Sequence, residues 1–275
     1  MTLTERLKET TAFINKQWPH KAEAGIILGS GLGNFSSKIK IEKEIEYSSI
    51  PHFPVATVEG HTGRLIAGEA AGKKIIAMAG RFHFYEGYSA KEVVYPVQVM
   101  GLLGIKHLLI ANAAGGVNPA FRVGDLMIIR DHISLAVVNP LLGRNEDELG
   151  PRFPDMSEPY NARLIALAQN ISKNEGIPVH EGVYFGVTGP TFETRAEYKM
   201  IRTLGGDAVG MSTVQEVVTA VHLGLSVFAM SVITDIGIRS ENNTISHQDV
   251  LEAARNAEPR LTTIFMQLLE KLDKN

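Results

Sequence analysis

Ala24-Gly25-Ile26-Ile27-Leu28-Gly29-Ser30-Gly31-Leu32-Gly33 is the stretch that decides the fold. Its first five residues are apolar and branched, which is the pattern of a short buried strand. The next five put glycine at alternate positions. Without a Cβ, the backbone there turns tightly and can aim several N–H groups into one concavity that suits an anion. Ser30 adds a hydroxyl. Asn34 stands where the dinucleotide fingerprint needs its third glycine, and no Gly-Lys-Ser/Thr follows. The loop therefore points to phosphate, but to neither a Rossmann nor a P-loop site. A plain strand-to-loop turn is the bland alternative.

Outward from this stretch, strands alternate with helices. A helix is expected from Thr4 to Trp18, stopped by Pro19. Ile50-Pro51-His52-Phe53-Pro54 reads as an extended connection. Gly63–Gly68 and Lys74–Ala79 form a hairpin around Ala71-Gly72, and a helix follows from about Ala90 to Leu103. Further strands are expected at His107–Ala111, Asp125–Arg130, Glu181–Val187, Asp207–Val209 and Ser226–Thr234. Ala162–Asn174 is helical. Thr194 with Glu197, Thr213 with Glu216, and Ser246 with Asp249 each have the spacing of a capped helix start. Pro259 should kink the last of these helices. This order implies an α/β fold: one domain over residues 1–275, with a mixed, largely parallel central sheet flanked by helices. Functional loops then gather at the strand carboxyl ends. The irregular run Pro140–Pro159 is long enough to have a task or a neighbour.

Composition narrows the class. The chain has 275 residues, a formal net charge of -3 and no cysteine. Nucleic acid and acidic membrane surfaces are not indicated as partners, and disulfides and thiolate metal sites are impossible. Thr2–Trp18 lacks the apolar core of a signal peptide, and no apolar run spans a bilayer, so a cytoplasmic enzyme is the expectation.

Polar groups recur after successive strands: Ser30; His61; Arg81, His83 and Tyr85; Asn112 with Ala113; Phe192 and Glu193; Met211 and Ser212; Asp235; His247. Each alone has a structural explanation, such as a satisfied core histidine or a solvated helix-start acid. Together they describe a bowl for an anion and a heteroaromatic ring. Arg81 is a planar, permanently charged fork for phosphate oxygens. Ser212 precedes a helix N-terminus, where unpaired N–H groups favour negative charge. Phe192 offers a face to a planar base, and Glu193 accepts from ring N–H donors.

Gly29–Gly33, Gly60-His61-Thr62-Gly63, Gly80–Gly87, Asn112–Gly116, Gly189–Thr194 and Val209–Thr213 stand in the order seen in one family. From end to end the chain resembles the trimeric, low-molecular-mass purine nucleoside phosphorylases. The resemblance implies the nucleoside phosphorylase fold and phosphorolysis of inosine, guanosine and their 2′-deoxy forms, in purine salvage. Inorganic phosphate is then a co-substrate, with no metal and no organic cofactor, and the assembly a homotrimer. By position it implies a phosphate site of Ser30, His61, Arg81, His83, Ala113 and Ser212. It implies a sugar site of Tyr85, Met211 and His247, and a base site of Phe192, Glu193, Val209, Thr234 and Asp235. His83, Glu193, Asp235 and His247 are the expected catalytic groups. Leu149 takes the place of an aromatic that closes the neighbouring subunit's pocket.

Asp235 departs from the asparagine usual in members specific for 6-oxopurines. An ionised aspartate only accepts hydrogen bonds and would oppose charge building on the departing base. Either it is protonated in the closed site and donates to N7, or it accepts from a 6-amino group and admits adenosine. Glu193 favours the first, because it pairs with the N1–H of hypoxanthine and guanine but meets a lone pair at N1 of adenine. Rival activities are methylthioadenosine or xanthosine phosphorolysis. A catalytically silent nucleoside-binding protein is a rival of another class, though such a protein has no use for a phosphate cradle.

Overall fold

The computed structural model describes residues 1–55, 63–237 and 246–272. Helix α1 (Leu3–Gln17) opens with a reciprocal cap between Thr2 and Glu5. Strand β1 (Ala24–Leu28) is buried along its whole length, as its apolar run requires. Strand β2 (Lys40–Glu46) alternates charged residues with Ile41 and Ile45 but was not anticipated; it is an edge strand, mostly exposed. The hairpin is present as β3 (Arg64–Ala70) and β4 (Lys73–Ala79), turning through Ala71 and Gly72, both at positive φ. In the expected connection Ile50 is extended, but His52 takes a φ of 66°.

Helix α2 (Ala90–Leu102) is followed by β5 (His107–Gly116), β6 (Leu126–Ile133), α3 (Ala162–Glu175) and β7 (Val179–Gly186). The chain closes with α4 (Arg195–Thr203), β8 (Ala208–Gly210), α5 (Val214–His222), β9 (Ser226–Ile236) and α6 (His247–Lys271). Helix α6 continues through Pro259. No helix among the described residues is long and apolar enough to cross a membrane.

Among the described residues, nine strands form one sheet in the order β2-β3-β4-β1-β5-β8-β7-β6-β9, and β9 also pairs with β5. Strands β5, β8, β7, β6 and β9 therefore close on themselves, which the strand–helix alternation did not reveal. β1 runs parallel to both β4 and β5, and β5 runs parallel to β9. The antiparallel pairings are β2–β3, β3–β4, β5–β8 and β6–β9, so the expected mixture is present.

β5 outlasts its expected end at Ala111 because Asn112–Gly116 keeps pairing with β9, with a register shift after Ala114. Small residues are needed there. A Cβ on Gly116 would lie 2.7 Å from Ile236 Cδ1, and one on Gly115 would lie 3.0 Å from Asp235 Oδ2. One apolar layer joins Leu109 and Phe228 to Ala254, Leu261, Phe265 and Leu268 of α6. On the other side, Leu108 and Val227 join Val97 and Met100 of α2 and Val217 of α5. Both faces of the centre are thus covered, and the polar strand ends remain open for a site.

Candidate active site

One cavity of about 360 Å³ collects side chains from every expected element. Ser30 comes from the loop after β1, and Arg81, His83 and Tyr85 from the loop after β4. Ala113 lies on β5 and Val209 on β8, with Met211 and Ser212 just beyond. Thr234 and Asp235 end β9, Phe192 and Glu193 precede α4, and His247 begins α6. All thirteen of these residues line the cavity. His61 lies outside the described residues.

Arg81 is the centre of the cationic wall. It is only 2% exposed, and its Nε donates to Glu216 Oε1 at 3.1 Å while Nη1 donates to Ser212 Oγ at 3.1 Å. His83 stacks on Tyr85, with ring centroids 4.6 Å apart. Its Nδ1 lies 2.9 Å from Glu86 Oε1, which also accepts the His83 backbone N–H. Burial holds the imidazole pKa below its usual value, although Glu86 pulls it up. The neutral ring then keeps its proton on Nδ1, facing Glu86, and leaves Nε2 as an acceptor.

The expected Thr213–Glu216 cap does not form, and the reason is local to this wall. Glu216 turns away from the helix start to meet Arg81, and Thr213 makes no side-chain cap. Thr213 instead has φ 71° and ψ -52°, and the Val214 N–H donates across it to the Ser212 carbonyl at 2.8 Å. That is a γ-turn of positive φ, a strained geometry for a β-branched residue. Asn112 Nδ2 steadies it by donating to Thr213 Oγ1 at 2.9 Å. Below, the buried Tyr184 hydroxyl accepts from the Ser212 N–H at 3.4 Å. Gly210 makes room for that hydroxyl, since a Cβ there would lie 2.2 Å from it.

The acidic wall is built differently. Burial pushes the Glu193 carboxyl above its usual pKa, with Asp235 and Glu197 adding like-charge repulsion. Tyr198 is buried beside it, and burial with the charges of Glu193 and Asp235 drives its phenol upward. Asp235 is 7% exposed and accepts from the Thr234 hydroxyl at 3.1 Å. Phe192 sits at the mouth, 42% exposed, and His247 is exposed at the helix start.

Leu149 is not brought here. It is half-buried against the chain's own core and lines a separate cavity of about 610 Å³ between α1, α2 and the Pro140–Pro159 loop. The apolar side chains which that loop does expose are Leu142, at 62%, and Phe153, at 86%. Sequence reasoning also missed Glu86, Tyr184, Tyr198 and Glu216 as supports of the site. Only Glu86 had a signal, three residues after His83 in the polar–aromatic run.

Comparison with known proteins agrees with this architecture. A family model described as the Phosphorylase superfamily matches residues 23–270. Purine nucleoside phosphorylase 1 of Bacillus subtilis is 48% identical, over 93% of this chain and 94% of that protein. The rat purine nucleoside phosphorylase is 44% identical, over 98% of this chain and 95% of that one. A Schistosoma mansoni purine nucleoside phosphorylase solved in complex with inosine superposes with a TM-score of 0.94 at 39% identity, covering 100% of this chain and 99% of that one. With the family model spanning most of the chain and these relatives alike over nearly their full length, the chain belongs to the purine nucleoside phosphorylases of the phosphorylase superfamily.

Proposed function

We propose that this chain catalyses phosphorolysis of inosine, guanosine and their 2′-deoxy forms in purine salvage, with inorganic phosphate as co-substrate. A phosphate oxygen attacks C1′, the C1′–N9 bond breaks, and its electron pair leaves with the purine. The products are the free base and (deoxy)ribose 1-phosphate. One observation carries the reading: a single cavity is lined both by the Arg81–Ser212 pair and by the Glu193–Asp235 pair. An anion and a ring with N–H donors can therefore be held together, and positioning the two is most of what this reaction needs. The inosine complex of the Schistosoma relative supports the nucleoside half.

In this reading Ser30, His61, Arg81, His83, Ser212 and the Ala113 backbone hold phosphate. Tyr85, Met211 and His247 face the sugar, His247 near its 5′-hydroxyl. Phe192 and Val209 sandwich the base, Glu193 accepts its N1–H, and Asp235 with Thr234 faces O6 and N7. Asp235, protonated, delivers its proton to N7 as the bond breaks, so the base departs neutral. Residues 1–275 act as one domain, cytoplasmic, in a homotrimer whose Pro140–Pro159 loop reaches the adjacent subunit. The reading asks for no metal and no organic cofactor.

The test is a phosphate-dependence assay across inosine, guanosine, adenosine, xanthosine and methylthioadenosine. Inosine and guanosine are expected to lead, with a sugar 1-phosphate as product. Cleavage at the same rate in phosphate-free buffer, with free ribose as product, would make the enzyme a hydrolase. A preference for methylthioadenosine would move it to the sister activity.

A further inference from the structure

We infer that Glu216 is a positioning residue for the phosphate co-substrate: its carboxylate sets the angle at which Arg81 presents its guanidinium. This rests on the reading of Arg81 and Ser212 as a phosphate cradle. Three observations carry it. Arg81 and Glu216 are both nearly fully buried, 2% and 3% exposed, yet Arg81 lines the cavity. The contact is made at Nε, the inner corner of the guanidinium, at 3.1 Å. An acceptor there fixes the plane of the group and holds Nη1 against Ser212, which lines the cavity with Arg81.

The third observation is what the helix forgoes. Thr213 and Glu216 have the spacing of a reciprocal cap, and the same pattern does form caps at α1, α2, α4 and α6. At α5 it is given up: Thr213 adopts the strained γ-turn, and Glu216 spends its Oε1 on Arg81. Glu216 Oε2 is buried and makes no hydrogen bond among the described residues. A residue kept only to start the helix would have closed the cap.

An alternative is that Glu216 only neutralises a buried cation. The two roles separate by substitution. Glu216→Gln keeps an oxygen that can accept the Nε–H but removes the charge, whereas Glu216→Ala removes both. Steady-state phosphorolysis gives KM for phosphate, and calorimetry with hypoxanthine reports the base site without phosphate. Expected for Glu216→Ala is a rise in phosphate KM of about 10–100-fold, the range seen when groups that orient a ligand's direct partners are removed. Hypoxanthine affinity should stay within about twofold, and Glu216→Gln should recover most of the phosphate loss. Equal impairment of the two variants would assign the effect to charge and overturn the inference. So would a parallel loss of hypoxanthine binding, which marks general disorder, or an unchanged phosphate KM in Glu216→Ala. Phosphate-independent cleavage by the wild type would instead remove the cradle itself, and is read in a separate arm.

Discussion

Replacing Arg81 by methionine removes a cation from a site where almost no water reaches, and leaves the Glu216 carboxylate, 3% exposed, without its counter-charge. Breaking a buried pair on one side costs about 3–5 kcal/mol, because the remaining charge stays desolvated. Loss of the hydrogen bond to Ser212 Oγ adds about 1 kcal/mol. For a chain of this size each kcal/mol lowers the melting temperature by roughly 2–4 °C, so a fall of roughly 8–24 °C is expected. The double variant Arg81→Met/Glu216→Met replaces the pair by apolar groups of similar volume, an exchange that is often neutral or stabilising. It should recover all but about 1 kcal/mol, the share belonging to Ser212. Neither variant should use phosphate. Urea midpoints measured with unchanged slope give the stabilities, and the phosphorolysis assay gives the activity. A single variant within about 1 kcal/mol of wild type, or a double variant as unstable as the single, would refute the account of Arg81 and Glu216 as one desolvated unit.

Asp235→Asn should keep inosine turnover and flatten its decline toward alkaline pH, since the asparagine has no proton to lose; an unchanged pH profile would exclude the protonated-Asp235 mechanism. Glu193 must be ionised to accept N1–H, and its pKa is raised, so base binding should grow as pH climbs through a value above the ordinary carboxylate range. The same shift favours the protonated native state, so its contribution to stability is present in acid and lost as pH rises. Glu193→Gln should remove the acid limb of hypoxanthine binding, which titration calorimetry across pH reads directly. Leu149→Phe should overpack a half-buried position and cost about 1–3 kcal/mol, read as a lowered urea midpoint. Gly210→Ala should cost about 1–3 kcal/mol by driving a methyl into the Tyr184 hydroxyl, and Tyr184→Phe in the same chain should relieve part of it; equal stability of the single and double variants would show the clash is avoided another way.

Much of the site was legible because its residues sit next to local signals. Ser30 follows a buried strand, Arg81 and His83 follow a hairpin, and Glu193 precedes a capped helix, so chain order alone ranked them together. The ring closure was not legible: β9 returns to β5 through pairings that leave no mark on either sequence beyond small residues at Gly115 and Gly116. Glu216 was misread for a related reason. Its spacing from Thr213 is a local signal for a cap, and the stronger attraction of Arg81, far away in sequence, overrides it.

The pairing of β5 with β9 also constrains how the enzyme comes into being during synthesis. His107 waits for Ser226, more than two-fifths of the chain later, before that ladder can begin. A nascent chain that has emerged only as far as α5 already carries Arg81, His83 and Ser212. It has no Thr234 or Asp235 to face a base, and it leaves β5 with an open edge that another strand can occupy. Nucleoside binding and protection of that edge therefore arrive together, late, with the same strand. A ligand that holds β9 in place should act as a folding aid for the newly made chain, beyond its role as substrate.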